Sequence, residues 1–134
     1  MKGVKRGELT ISYSQLMVMN QDMTPPYVDW TDKDFERGYA EAGGAIIFEA
    51  LSDYTCEIMV YTQKFVENKE AVRIVSAPFT VLQERVFISS VLTSKLPFFV
   101  PSEDYIVTMQ AVPLEEPSAD DLYKVKCELF FEEN

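Results

Sequence analysis

Tyr123-Lys124-Val125-Lys126-Cys127-Glu128-Leu129-Phe130-Phe131 decides the fold class. In an extended chain, Tyr123, Val125, Cys127, Leu129 and Phe131 fall on one side, and Lys124, Lys126 and Glu128 on the other. That period of two is the signature of a strand with one buried face. The period recurs upstream. Residues 9–19 begin with Leu9, Ile11 and Tyr13 against Thr10, Ser12 and Ser14. Residues 45–50 and 56–62 are expected to pair antiparallel around Ser52-Asp53-Tyr54, and residues 72–82 and 86–92 to form a hairpin around Gln83-Glu84-Arg85. Pro78 interrupts the first arm of that hairpin and predicts a bulge or an edge strand. Residues 96–100 form a short strand bearing Pro97, with Pro101 beyond it, and residues 105–112 are apolar on both faces, which suits a central strand. The expectation is an all-β fold: an antiparallel two-sheet β-sandwich of about eight strands with one short α-helix.

Composition sets the frame for these strands. A chain of 134 residues with 47% hydrophobic and 13% aromatic side chains can bury a core as one domain over residues 1–134, with residues 1–8 as a flexible start. No apolar run reaches membrane-spanning length, and the basic residues near Met1 lack the apolar stretch of a secretory signal. A cytoplasmic protein without membrane insertion is expected. Cys56 and Cys127 fall in strands and read as buried thiols; a reducing compartment argues against a disulfide between them.

Residues 22–50 read differently. Pro25-Pro26 stiffens a loop. Thr31 suits a helix N-cap with Asp34 at the capping-box position, and Trp30 and Phe35 have hydrophobic-staple spacing. A helix over residues 32–42 is expected, with Phe35, Gly38, Tyr39 and Ala42 on one face and Gly43 ending it. Asp32, Asp34 and Glu36 suit the positive end of its dipole, so plain capping explains them without a function.

Five ordered blocks between Leu9 and Ala50 resemble the competence protein J family, known as the inhibitor of the bacterial DNA-entry nuclease. They are Leu9-Thr10-Ile11-Ser12-Tyr13-x-Gln15, Asp22-x-Thr24-Pro25-Pro26, Asp29-Trp30-Thr31-Asp32, Gly38-Tyr39-Ala40 and Gly44-Ala45-Ile46-x-Phe48-Glu49-Ala50. Thinner echoes follow at Pro78-Phe79, residues 88–90, Pro101 with Asp104-Tyr105, and Val112-Pro113. The chain beyond Glu116 departs from that pattern. The resemblance implies a nuclease inhibitor with a DNA-entry-type nuclease as partner, and carries over no contact residue.

Net charge is −10 and unevenly spread. Residues 29–57 hold two basic and eight acidic side chains, and residues 102–134 two basic and nine acidic. Gathered on one face, these acids would attract a basic protein and repel nucleic acid, so direct nucleic-acid binding is not expected. Solubility alone also explains an acidic chain. The sequence has no histidine, which removes the usual Ser-His-Asp, Cys-His and zinc centres, and it has no Gly-rich phosphate loop. Counted from Asp32 as an EF-hand, Arg37 replaces the required Gly and Gly43 the closing Glu. No catalytic residue, cofactor or metal ligand is assigned, and the chain is not read as an enzyme. The candidate partner-binding residues are Tyr27 and Trp30 as anchors, Asp29, Asp32, Asp34 and Glu36 as an anionic edge, and Asp53, Glu115, Glu116, Asp120 and Asp121 as a second acidic set. The last four belong to residues 114–121, the most loop-like stretch. The alternative reading is a non-catalytic sandwich module that binds a small ligand, a sugar or calcium through its loops; a plain scaffold or dimerisation domain is a third.

Overall fold

The computed structural model describes residues 5–21, 23, 28–91, 95–116 and 122–134. Among them the chain forms β1 (Lys5–Thr10), β2 (Gln15–Asn20), α1 (Asp32–Arg37), β3 (Tyr39–Ala42), β4 (Ala45–Glu49), β5 (Thr55–Tyr61), β6 (Arg73–Val81), β7 (Arg85–Ser89), β8 (Leu96–Phe99), β9 (Glu103–Pro113) and β10 (Val125–Glu133). One sheet runs β1-β5-β10-β9-β6 and the other β3-β4-β2-β7-β8. Inward-facing Leu16, Val18, Ile46 and Phe48 of the second sheet share one core with Ile58, Val107, Met109, Leu129 and Phe131 of the first. No helix among the described residues is long and apolar enough to cross a membrane.

The expected sandwich of strands with one short helix is present, and it corrects several local expectations. Ten strands form rather than about eight. The β5–β10 pair is parallel, from Val125↔Cys56 to Phe130↔Tyr61. Residues 5–8, expected as flexible, pair with β5 as the start of β1. Residues 9–19 are not one strand: Tyr13 and Ser14 both adopt φ 55°, and the chain passes there from the first sheet to the second. The two expected hairpins are absent for a related reason. β4 and β5 lie in different sheets, as do β6 and β7. Each connection still delivers both strands' apolar faces to the core, so burial is met without pairing the neighbours. Asn20 of β2 holds the second of these crossings: its amide donates to Thr80 O at 2.9 Å, and its Oδ1 accepts from the Leu82 N–H at 2.9 Å. Pro78 does lie on an edge strand, β6, and β9 is interior, between β10 and β6.

Both outer faces carry a cover. On the second sheet, Met17, Met19, Ala45 and Ile47 pack beneath Met23, Val28 and Trp30. On the first, residues 62–71 cross β10 and β9 over a buried polar network. Gln110 donates to Glu128 Oε1 at 3.0 Å and to Val66 O at 2.9 Å, and its Oε1 accepts from the Asn68 N–H at 3.0 Å. Tyr61 donates to Glu128 Oε2 at 2.7 Å. Burial, then that bond to a carboxylate, pushes the Tyr61 phenol up to about 12. Glu128 therefore points outward, as the alternation predicts, yet is buried. Cys56 and Cys127 are free, buried thiols with sulfurs 3.3 Å apart. The bond to Cys127 and burial raise the Cys56 thiol well above its ordinary value.

The helix is shorter than expected. Thr31 caps it: its hydroxyl accepts from the Asp34 N–H at 3.2 Å, and Asp34 Oδ2 accepts from the Thr31 N–H at 3.0 Å. Trp30 meets Phe35 with ring centroids 5.1 Å apart, completing the staple. Gly38, not Gly43, ends the helix at φ 90°, where its N–H donates to Asp34 O at 2.9 Å. A Cβ on Gly38 would lie 2.8 Å from Val75 Cγ2, so packing against β6 also requires glycine. Tyr39 and Ala42, expected on the helix face, instead belong to β3, and Gly43-Gly44 turns β3 into β4.

Three outcomes are expected. Thr31→Ala should cost about 1 kcal/mol of stability. The Thr31 N–H foremost, then the Arg37 guanidinium, holds the Asp34 carboxyl below its ordinary 3.8. Its stabilisation is therefore complete above that value and fades as pH falls below it. Thermal unfolding of wild type against Asp34→Asn should show a constant gap down to about pH 4, narrowing further into acid. Separately, Gln110→Leu should cost about 1–3 kcal/mol by leaving Glu128 Oε1 and the Asn68 N–H without their partner, and should speed amide exchange at Asn68 far more than in β2.

Candidate partner-binding site

One end of the sandwich is built from α1, the β1–β2 turn, residues 50–54 and the β9–β10 connection. Hydrogen bonds join these pieces. Asp53 Oδ1 accepts from the Ser14 N–H at 2.7 Å. Ser90 Oγ accepts from the Ser12 N–H at 2.8 Å and lies 2.6 Å from Gln15 O. Ser52 Oγ accepts from the Tyr123 N–H at 3.1 Å, and Glu115 Oε1 from the Lys124 N–H at 2.9 Å. The β1–β2 turn is consequently pinned from two sides. That matters because consecutive left-handed non-glycine residues each cost ~1–2 kcal/mol of backbone strain. Here the strain turns Tyr13 out of the core and into solvent, at 67% exposure, contrary to the inward placement expected from its alternation.

Tyr13 lines a cleft of roughly 100 Å³ with Ser14, Gln15, Trp30, Phe35 and Glu49. Phe35 is 57% exposed, and Tyr54, beside Asp53, is 42% exposed. Large aromatic rings open to water at one end of a sandwich are uncommon for packing alone and are the residue types that anchor interfaces.

The candidate residues distribute unevenly about this end. Asp29, Asp32 and Glu36 are exposed around α1, and Asp53, Glu115 and Glu116 are exposed on the adjoining loops. Trp30 is half-buried, shared between the staple and the cleft. Asp34 is the exception: it is buried, bonded to Thr31, and paired with Arg37 at 2.9 Å. Its carboxylate serves the helix. Tyr27, Asp120 and Asp121 lie outside the described residues, as does the Pro25-Pro26 loop. The acids of residues 102–134 do not all gather here. Glu103, Asp104 and Glu133 sit at the opposite end, where the first residues of β9 pair with the last residues of β10 and of β6. Glu128 is buried midway along β10. Two of the cations near α1 are paired: Arg37 stacks 4.2 Å from the Tyr39 ring while holding Asp34, and Arg73 Nη1 lies 3.5 Å from Glu49 Oε1; Lys33 of α1 is exposed. Among the described residues, no group of three or more Cys, Asp or Glu side chains is placed to share a metal ion, so the calcium alternative finds no such site among them.

Sequence reading missed Tyr13, Phe35 as an exposed ring, Tyr54 and Glu49. A signal for Tyr13 existed. Inward positions are odd-numbered at Leu9 and Ile11 but even-numbered at Leu16 and Val18, so the alternation changes phase across Ser12–Gln15.

Known proteins share this fold. The chain matches the family described as Competence protein J (ComJ) along residues 8–132. A protein of Bacillus subtilis (strain 168) named DNA-entry nuclease inhibitor is 39% identical over 114 residues, which are 85% of this chain and 86% of that one. A crystal structure of ComJ from Bacillus subtilis, described as inhibitor of the DNA degrading activity of NucA, superposes with a TM-score of 0.82 at 35% identity, covering 97% of each chain. A second solved structure, described as Crocagin biosynthetic gene J, has a TM-score of 0.55 at 11% identity over 95% of this chain and 96% of that one, and shares the fold alone. With its sandwich, its capped helix and nearly its whole length accounted for, this chain belongs to the competence protein J family.

Proposed function

We propose that this protein inhibits a DNA-entry-type nuclease by direct contact, presenting the α1 end of the sandwich to the enzyme. Membership of the family across residues 8–132 carries the activity, since relatives bear the names of nuclease inhibitors. The coincidence of exposed aromatics with exposed carboxylates at one end supports the mode of contact. A nuclease needs a cationic groove for DNA phosphates. Asp29, Asp32, Glu36, Asp53, Glu115 and Glu116 offer carboxylates where those phosphates would lie, and Asp34 keeps α1 in position. Tyr27, Asp120 and Asp121, outside the described residues, stay candidates for the same contact. Long-range attraction would raise the association rate, towards ~10⁸ M⁻¹s⁻¹ at low salt, while the rings would slow departure. Acting on a nuclease as a protein ligand requires no catalytic group or cofactor of the inhibitor's own, and a cytoplasmic location suits protection of DNA inside the cell.

Purified protein in molar excess should abolish plasmid degradation by the cognate nuclease encoded in the same genome; an unchanged rate rejects the activity. The contact mode has its own check. Reversing Asp32 and Glu36 to Lys together should weaken inhibition at least about tenfold, mostly through slower association. That gap should shrink as salt rises, because exposed charges are screened over ~8 Å at physiological ionic strength. Reversing Glu103 and Glu133 at the opposite end should change inhibition less than about twofold. Equal losses from the two pairs would point to net charge rather than a docking face.

A further inference from the structure

The cleft beside α1 is more specific than an acidic face requires. Its walls are the rings of Tyr13, Trp30 and Phe35, and Glu49 lies along it. Asp53 stands one hydrogen bond away, on the Ser14 N–H. The volume of roughly 100 Å³ falls well below the ~300 Å³ or more of small-molecule sites. It suits a single long side chain. Its lining chemistry selects which: π faces on the walls and carboxylates at the rim attract a cation carried on an apolar stem. The site is also preformed. Tyr13 is held outward by a turn with φ 55° at two successive residues, and that turn is tied down by Asp53 and Ser90. Trp30 and Phe35 are fixed against each other by the staple on a capped helix.

We infer that this aromatic cleft receives one arginine or lysine side chain of the nuclease and is the anchor of the complex. The inference rests on the proposed inhibitory contact at the α1 end. The stem of the incoming side chain packs against Tyr13 and Phe35, and its charge faces Asp53 and the Glu49 carboxylate, which it shares with Arg73. Electrostatics of the wider face bring the partners together; this insertion sets the lifetime of the complex.

The test separates the two readings. Tyr13→Asn removes the ring but keeps a residue that tolerates the left-handed backbone, and Phe35→Ala opens the opposite wall. Each should raise the inhibition constant at least about tenfold through faster dissociation. Tyr13→Lys, which places a like charge at the mouth, should be worse than Tyr13→Asn. Phe99→Ala, removing a ring of similar exposure (54%) on edge strand β8, should alter inhibition less than about twofold. Should the ring variants unfold, the wild-type protein still decides. Trp30 is the only tryptophan, so 5-fluorotryptophan labelling gives one ¹⁹F resonance inside the cleft. Nuclease binding should shift it and protect Trp30 from a soluble quencher. If wild type inhibits while the Tyr13 and Phe35 variants inhibit equally well, or the Trp30 resonance stays put on binding, the cleft is not the anchor, and the acidic face stands without it. If wild type does not inhibit at all, both readings fall together.

Discussion

The insertion of β10 between β5 and β9 is the constraint on which the rest depends. One edge of β10 pairs in parallel with a strand some seventy positions earlier, and the other pairs antiparallel with β9. Without it the first sheet would separate into β1–β5 and β9–β6. Its inward side chains, Val125, Cys127, Leu129 and Phe131, fill the centre of the core, and its outward Glu128 seats the network that holds residues 62–71. Parallel pairing cannot be reached by a tight turn. The intervening chain must therefore travel through both sheets, and its crossings form the ends of the molecule.

Those crossings hold part of the candidate site. A hairpin would have satisfied its backbone groups through the ladder. A chain passing between sheets must find other partners, and here they are side chains: Asp53 and Ser90 at the β1–β2 turn, and Asn20 at the β6–β7 crossing. At the β1–β2 turn the change of sheet brings strain and exposure with it. Tyr13 is turned outward because the sheet change demands it, and the ring becomes a wall of the cleft. Fold and site are thus coupled through local backbone geometry rather than by chance proximity.

The acids illustrate why charge read along a chain is a poor map of charge in space. Asp34 looked like part of an anionic edge and is a structural cap. Glu103, Asp104 and Glu133 are close in sequence terms to Glu115 and Glu116 but lie a full strand length away, because β9 and β10 run the length of the sheet. Glu128 is buried. What remains on the α1 side is a smaller set of carboxylates, placed beside aromatic rings that could not be recognised as exposed from the sequence.

Local periodicity and local chemistry were sufficient for the fold class, for most strand positions, and for the start of α1, because alternation, capping and staple contacts involve residues only a few positions apart. Pro78 narrowed its strand to a bulge or an edge for the same reason: a missing N–H is a property of the residue itself. The length of α1, the sheet to which each strand belongs, the parallel β5–β10 pairing and the cleft were decided by tertiary structure. Gly38 ends the helix partly because Val75 of a distant strand leaves no room for a Cβ, and β4 leaves β5 because either sheet would have buried its apolar face equally well. Burial patterns say which side of a strand faces the core; only long-range packing says which neighbour completes it.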